Sequence, residues 1–259
     1  MLTMKIALNY WEVFLLILVR VASFIYTAPF FNMSNTPNRT KIGFACFLSI
    51  IIYTLIPDKS LTYGTILEYA VLVLKESIVG LVLGLSCQIA VQALTFAGHI
   101  IDVNIGLSMA TEYNPQLNEQ ASVSGQLYYY AVFLLLMASG MYEFLLDAIV
   151  DTYEIIPLGS VTINATLYDA WLGIVGDYFV IGFRIALPVF VCLMIVNTTL
   201  GILAKVAPQI NMFAVGMQIK LLIGLAVMFL TVSLLPSVAN FILRLMKSAI
   251  TSAAGGFTG

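Results

Sequence analysis

The stretch that decides the fold is ILEYAVLVLKESIVGLVLGLSCQIAVQALTFA, residues Ile66–Ala97. About 20 consecutive apolar residues form a helix long enough to cross the hydrocarbon core of a bilayer. This stretch exceeds that length by a wide margin and carries charge only at Glu68, Lys75 and Glu76. It therefore predicts a long helix of membrane-protein character, and similar apolar runs recur along the rest of the chain.

The composition supports the same class of protein. The chain has 259 residues, of which 61% are hydrophobic and 9% are charged, and its mean hydropathy is +1.02. Soluble domains are about half apolar and about one quarter charged. The net charge of -2 gives no indication of nucleic-acid binding. The three cysteines, Cys46, Cys87 and Cys192, all lie within apolar runs and are interpreted as small buried hydrophobes. We therefore expect a polytopic membrane protein.

Apolar length places the other helices. Arg20 interrupts the first run and no small-residue cleavage site follows, so this run is predicted to be a retained helix rather than a signal peptide. Gly140 is expected to bend the fourth helix before an amphipathic stretch, Met141–Thr152, and a second amphipathic stretch follows Pro236. Besides Ile66–Ala97, the predicted apolar helices are Trp11–Phe31, Ile42–Ile56, Gln126–Ala138, Leu167–Thr199 and Met217–Leu235.

Charged residues lie inside several of these apolar runs. A charge at the centre of a bilayer costs at least ~2.5–3.5 kcal/mol on insertion scales. The helices are therefore expected to be buried in protein, to line water, or to sit outside full membrane depth. Glu68, Lys75 and Glu76 suggest a local ion-pair cluster, Arg20 suggests a snorkelling side chain, and Asp177 and Arg184, on one helical face, suggest an interhelical pair. The charges are Arg20, Glu68, Lys75, Glu76, Asp177 and Arg184.

No enzyme motif is present in the sequence. HExxH, GxSxG, a phosphate-binding loop and paired Cys/His sets are all missing. The acidic residues Asp147, Asp151 and Glu154 cluster, but no second type of metal ligand accompanies them. We therefore predict a protein that is not an enzyme and that uses no metal and no cofactor.

Two polar segments interrupt the apolar sequence. The longer is GHIIDVNIGLSMATEYNPQLNEQASVSG, Gly98–Gly125, and the second is LAKVAPQINMFAVG, Leu203–Gly216. The Asn114–Pro115 pair predicts a turn in the first, and Pro208 is expected to break a helix in the second. Irregular backbone at membrane depth is tolerated only where protein buries it or where it faces a water-filled cavity. Each segment therefore lies outside the membrane or fills a cavity within it.

Four segments carry a resemblance to a known family. They are RVASFIYTAPFF (Arg20–Phe31), GHIIDVNIGLSMATEYNP (Gly98–Pro115), GMYEFLLDAIVDTYEIIPLG (Gly140–Gly159) and LAKVAPQINMFAVGMQIKLLIGL (Leu203–Leu225). In these segments and in their order the chain resembles the FliR/SctT family of type III secretion export-gate proteins, over essentially its whole length. Gln218 departs from the pattern, because relatives often carry proline there. The sequence ATEYNPQ (residues 110–116) resembles the flagellar branch of the family more than the virulence branch.

The resemblance implies an architecture and a set of partners. The architecture is all-α, a polytopic membrane protein of long, partly broken helices in which a FliP-like part precedes a FliQ-like helical hairpin. The chain would be one export-gate domain, with approximate halves at 1–125 and 126–259. The implied partners are several copies each of FliP and FliQ, with FlhB and FlhA alongside, in the bacterial inner membrane at the flagellar basal body. The complex would be a helical pore that passes unfolded flagellar subunits, with no catalysis by this chain.

The resemblance also implies two functional segments. The loop 106–124 would plug the closed pore, and the residues that match the family pattern are Gly106, Leu107, Ser108, Met109, Ala110, Thr111, Asn114 and Pro115. The second segment is matched at Pro208, Gln209, Asn211, Phe213, Gly216 and Lys220.

Two alternative functions stay open at this point. One is a virulence-type gate subunit. The other is a small-molecule secondary transporter with helices broken at Pro188 and Pro208. Its intramembrane site would use Glu68, Glu76, Asp177 and Arg184.

Overall fold

The structure is a computed structural model that describes residues 2–31, 36–56, 61, 63–108, 122–209 and 211–257. Every regular element among these residues is helical, which confirms the predicted all-α class. The helices are α1 (Leu2–Thr27), α2 (Asn38–Leu55), α3 (Ile66–Ile105), α4 (Val123–Ala138), α5 (Met141–Ile155), α6 (Thr166–Val206), α7 (Met212–Thr231), a 3-10 turn (Val232–Leu234) and α8 (Leu235–Gly255).

The described helices include four that are long and apolar enough to cross a membrane. They are Tyr10–Thr27 within α1, α3, α6, and the run Phe213–Gly255 that comprises most of α7 and all of α8. Helices α4 and α5 together form a fifth candidate, bent by 70°. The break lies at Gly140, whose φ of 79° is in the left-handed region, so the predicted bend is confirmed. These spans identify a polytopic membrane protein.

Several helices extend beyond their predicted ends. Helix α3 continues to Ile105, and α6 continues to Val206 with Pro188 inside it. Helix α7 begins at Met212, because the side chain of Asn211 caps it by accepting a hydrogen bond from the Ala214 N–H. The polar loops are therefore shorter than predicted. Helix α6 runs through Pro188 as predicted, so the break there that the transporter alternative requires is not seen, since a proline removes one backbone hydrogen bond and a long packed helix can continue past it.

The chain divides into two compact units. Unit 1 consists of Met1–Ala90, Gly140–Val175 and Arg244–Gly259, and unit 2 consists of Val91–Ser139 and Gly176–Leu243. Each unit thus draws on separated stretches of sequence. The approximate halves 1–125 and 126–259 stay a prediction, as does the order of a FliP-like part followed by a FliQ-like helical hairpin.

Within unit 1, helices α1 and α3 pack closely through glycine. A Cβ atom on Gly80 would lie 2.2 Å from the backbone oxygen of Arg20, and one on Gly84 would lie 2.9 Å from that of Phe24. Small residues allow such close approach between membrane helices.

A second contact within unit 1 joins the loop after α5 to the end of α8, because the Asn164 N–H donates to the carbonyl of Gly256 over 3.2 Å.

Within unit 2, an aromatic cluster joins the second part of α3 to α6. The ring of Phe96 lies 5.2 Å from that of Tyr178 and 5.6 Å from that of Phe183, centroid to centroid. A Cβ atom on Gly182 would approach Phe96 Cδ1 to 2.3 Å. Aromatic pairs at such distances stabilise beyond their buried area. These contacts hold the part of α3 that leads into the first polar loop.

Candidate functional site

The two ends of the first polar loop meet at Asp102. Its carboxylate lies near the end of α3 and is 3% exposed. The Ser122 hydroxyl donates to Asp102 Oδ2 over 2.7 Å, and the Ser124 N–H lies 3.3 Å from each carboxylate oxygen. Hydrogen bonds to an ionised acceptor are the stronger kind. Asp102 therefore holds the residues that leave the loop against the helix that enters it.

Ser122 also begins the helix that follows. As the N-cap of α4 it accepts a hydrogen bond of 2.8 Å from the Gly125 N–H. A serine at this position satisfies a backbone donor that the first helical turn leaves free. The hydroxyl thus donates to Asp102 while it accepts from Gly125, and these bonds fix both the start of α4 and its distance from α3. We call Asp102, Ser122 and Ser124 the clasp.

A glycine contact reinforces the clasp. A Cβ atom on Gly98 would lie 2.1 Å from both the backbone nitrogen and the Cα of Gly125. Real Cβ atoms do not approach backbone that closely, so only glycine at position 98 permits the observed packing of α3 against α4. The base of the loop is therefore rigid in two ways, by hydrogen bonds and by close backbone contact.

Helix α7 packs against the same base. The Ser124 hydroxyl contacts Met228 Sδ at 3.5 Å, and the hydroxyls of Tyr128 and Thr231 lie 3.2 Å apart. A Cβ atom on Gly224 would come within 2.5 Å of Cγ1 of Ile105, which is the last residue of α3. Three helices, α3, α4 and α7, are thus held together around the loop's two ends.

Gly106 starts the loop in a backbone conformation that suits glycine. Its φ is 94°, and its N–H donates to the carbonyl of Asp102 over 2.9 Å. A glycine in the left-handed region commonly ends a helix, because it lacks the Cβ atom that this conformation strains. Gly106 therefore ends α3 and sets the direction in which the loop leaves.

A cavity of about 320 Å³ joins the two predicted segments. Gly106 of the first and Phe213, Gly216 and Lys220 of the second all line it, within unit 2. Leu107 and Ser108 are half-buried, and Pro208, Gln209 and Asn211 are exposed. The remaining predicted plug residues lie outside the described residues: Met109, Ala110, Thr111, Asn114 and Pro115.

A buried ion pair organises unit 1. Arg20 and Glu76 are both fully buried, and Arg20 Nε donates to Glu76 Oε2 over 2.5 Å. Arg20 Nη1 donates to the carbonyl of Ile156 over 3.0 Å, and the Gly159 N–H donates to Glu76 Oε1 over 3.0 Å. The guanidinium also stacks over the ring of Tyr153, 4.3 Å from its centroid. One pair therefore fixes α1, α3 and the segment that follows α5.

This arrangement corrects two interpretations of the charges. Glu76 pairs with Arg20 rather than in a local cluster with Lys75, which instead donates to the carbonyl of Val161 over 3.0 Å. Arg20 does not snorkel, because it has no exposed surface. Glu68 is exposed and accepts from the Gly64 N–H over 2.6 Å. Sequence spacing could not identify these partners, since a local cluster satisfies the same pattern.

Asp177 and Arg184 are both exposed on α6. The guanidinium of Arg184 lies 5.9 Å from the ring centroid of Phe241, and no hydrogen bond or ion pair engages Asp177 within the part of the chain that the structure describes.

The sequence analysis did not identify the clasp. The available signal was a serine just before the apolar run of α4, which is typical of an N-cap. No group of three or more metal-ligating side chains occurs among the described residues.

Comparison with known proteins gives consistent matches over most of the chain. Residues 11–246 match the family described as bacterial export proteins, family 1. The flagellar biosynthetic protein FliR of Bacillus subtilis (strain 168) is 31% identical over 235 residues, which cover 90% of each chain. FliR of Escherichia coli (strain K12) is 29% identical over 224 residues, covering 86% of this chain and 84% of that protein. FliR of Pectobacterium carotovorum is 28% identical over 222 residues, covering 86% and 85%.

Proposed function

Because the chain belongs to the bacterial export proteins of family 1, the family that includes the FliR flagellar biosynthetic proteins, we propose that it is a non-catalytic subunit of the flagellar type III protein export gate. The gate lies in the bacterial inner membrane at the flagellar basal body. There the chain assembles with several copies of FliP and FliQ, with FlhB and FlhA alongside, into a pore for unfolded flagellar subunits. The long apolar helices and their exposed apolar surface support a role inside a membrane assembly.

We further propose that residues 106–124 plug the closed pore. The observation that carries this proposal is the clasp, because Asp102 holds Ser122 and Ser124 at the foot of the loop. A chain extends by at most about 3.4 Å per residue, so the 19 residues 106–124, running out and back, reach no further than ~32 Å from their base. A loop that is held at both ends can therefore close a nearby lumen and withdraw from it while α3 and α4 stay in place.

The flagellar branch is favoured over the virulence branch, because the relatives described above all carry flagellar names. The transporter is disfavoured. Pro188 lies within continuous helix α6, and Glu76, one of its four proposed site residues, is already engaged by Arg20. A transporter site needs polar groups that are available to a substrate.

The gate assignment is tested by native mass spectrometry of the complex that a tag on this chain retrieves from membranes. We expect one copy of this chain together with several copies of FliP and FliQ. A stable monomer, or a homodimer without those partners, would contradict the gate assignment and favour an independent transporter.

A further inference from the structure

A cavity of about 350 Å³ lies between the last turns of α2 and α5, within unit 1. Small-molecule sites in proteins are mostly apolar clefts of about 300–1,000 Å³ with a few placed polar groups. This cavity has that character, because every side chain that lines it is aliphatic or aromatic except that of Glu154. We call it the α2–α5 pocket. Its walls are Ile52, Leu55 and Ile56 at the end of α2, Val150, Tyr153 and Glu154 of α5, and the segment that follows α5.

The ring of Tyr153 forms a fixed wall of the pocket. Its hydroxyl donates to the carbonyl of Ile17 over 3.3 Å, and the guanidinium of Arg20 lies 4.3 Å from its ring centroid. Arg20 is itself held by the buried carboxylate of Glu76. A site that is shaped before the ligand arrives loses little conformational freedom on binding, which favours affinity.

The segment after α5 is fixed as well. The carbonyl of Pro157, which lines the pocket, accepts hydrogen bonds from the Ser160 hydroxyl over 2.8 Å and from the Ser160 N–H over 3.2 Å. The Gly159 N–H donates to Glu76 Oε1 over 3.0 Å. The buried ion pair of unit 1 therefore supports two walls of the pocket, the ring of Tyr153 and the turn at Pro157.

The polar features that remain available in the pocket are negative. Glu154 is exposed, and no hydrogen bond or ion pair engages its carboxylate within the described part of the chain. Helix α2 ends at Leu55, and the last carbonyl groups of a helix carry a partial negative charge. The end of α5 is already satisfied, because Arg20 donates to the carbonyls of Thr152 and Ile156. The pocket therefore favours a positively charged group at its rim.

We propose that the α2–α5 pocket binds a small amphipathic organic cation, with an apolar body between the two helices and an ammonium group at the carboxylate of Glu154. The apolar body gains free energy by leaving water. An anion would be repelled by Glu154 and by the end of α2. A sugar or another strongly polar neutral molecule would leave most of its hydroxyl groups without hydrogen bonds. The assignment goes beyond the export-gate role and does not depend on it.

Photoaffinity labelling of the full-length chain in its membrane complex tests the location of the site. The probe is an aryl azide derivative of phenylbutylammonium, and mass spectrometry identifies the labelled peptides. Because such a probe also partitions into the bilayer, only labelling that excess phenylbutylammonium displaces counts as specific. We expect displaceable labelling in the peptides that contain residues 52–56 and 150–158. Displaceable labelling confined to other peptides, or none at all, would overturn the proposal.

Two competitors with the same carbon skeleton test the charge. Phenylbutanol replaces the ammonium group by a hydroxyl, and phenylbutanoate replaces it by a carboxylate. We expect phenylbutanol to displace the probe only at about tenfold higher concentration than phenylbutylammonium, the effect of 1.4 kcal/mol of binding free energy, and phenylbutanoate to displace it least. Equal displacement by the ammonium compound and the alcohol would contradict recognition of a cation.

Variants of α5 assign the recognition to Glu154. Glu154→Gln keeps the shape of the side chain and should weaken phenylbutylammonium about tenfold while it leaves phenylbutanol unchanged, a difference that misfolding would not produce. Asp147→Asn is the matched control, because Asp147 is exposed on the same helix and does not line the pocket. Val150→Phe fills the pocket and should weaken both compounds. If Glu154→Gln bound phenylbutylammonium as the wild type does, the proposal would be overturned.

Discussion

The carboxylate of Asp102 accepts a hydrogen bond of 2.7 Å from the hydroxyl of Ser122, which lies 20 residues further along the chain. This bond closes the base of the loop proposed as a plug. The same hydroxyl caps α4, so the bond couples the geometry of the loop to the packing of two helices. Hydrogen bonds that join a buried carboxylate to such donors contribute about 1.5–3 kcal/mol each.

Asp102→Asn is therefore expected to loosen the loop without removing volume. The amide keeps the shape of the side chain but loses the charge, and it can still accept from Ser122. We predict raised ion leakage through the assembled gate in a membrane conductance assay, with the complex still assembled. Asp169→Asn serves as the control, because Asp169 is exposed in the first turn of α6. Equal leakage from the two variants would show that the clasp does not govern the seal.

The contact between Gly98 and Gly125 predicts a steric effect. Gly98→Ala places a methyl group 2.1 Å from backbone atoms of Gly125, and backbone cannot yield as a flexible side chain can. Overpacking of this kind costs about 1–3 kcal/mol. We expect a lower thermal unfolding temperature in detergent, measured on the purified complex.

The matched control is Gly201→Ala, since a Cβ atom on Gly201 of α6 meets nothing within 4 Å. Alanine favours the helix over glycine by about 1 kcal/mol, so this variant should be as stable as the wild type or more so. If both alanine variants behaved alike, close packing at Gly98 would not be required.

The fold class and the positions of most helices could be predicted because they depend on local apolar length. The bend at Gly140 was predictable for the same reason, since glycine weakens a helix locally. The position at which α3 ends could not be predicted. The polar residues Asp102 and Asn104 look like loop, but the Asn104 amide donates to the carbonyl of Ile100 over 2.7 Å, and Ile105 beyond it is buried.

The partners of charged residues could not be predicted for a different reason. Arg20 and Glu76 are 56 residues apart in sequence, and nothing in either local pattern identifies the other. Lys75 stands beside Glu76 and offers a simpler pairing on spacing alone. Only the packing of α1 against α3 decides between the two. The clasp could not be predicted for the same reason. Asp102 and Ser122 are polar residues at the two ends of a long loop, and nothing in either local pattern identifies the other as its partner.

The buried pair of Arg20 and Glu76 makes a prediction about stability. Arg20→Met leaves the Glu76 carboxylate buried and without its cation, which costs about 3–5 kcal/mol. The double variant Arg20→Met with Glu76→Leu removes both charges and should be more stable than the single variant. Thermal unfolding of the purified complex measures the difference. A double variant less stable than Arg20→Met would mean that other contacts of Glu76, such as that with Gly159, dominate.

The approach of Gly224 to Ile105 can be tested by rescue. Gly224→Ala brings a methyl group to 2.5 Å from Ile105 Cγ1 and is expected to destabilise by about 1–3 kcal/mol. Ile105→Ala alone leaves a cavity and costs about 2–5 kcal/mol. The two together should cost less than the sum, because the new methyl group enters the space that Ile105 vacates. Additive effects would indicate that α7 and the end of α3 are not in contact.

The central claim is that residues 106–124 seal the pore. The most direct measurement is ion leakage through the complete gate after residues 109–121 are replaced by a short Gly-Ser linker, which leaves Gly106 and the clasp in place. A matched complex carries the same linker in place of residues 57–60, between α2 and α3. The account predicts leakage from the first complex alone, with both complexes assembled. Unchanged leakage together with a loss of protein export would contradict it, and would make the loop a scaffold rather than a plug.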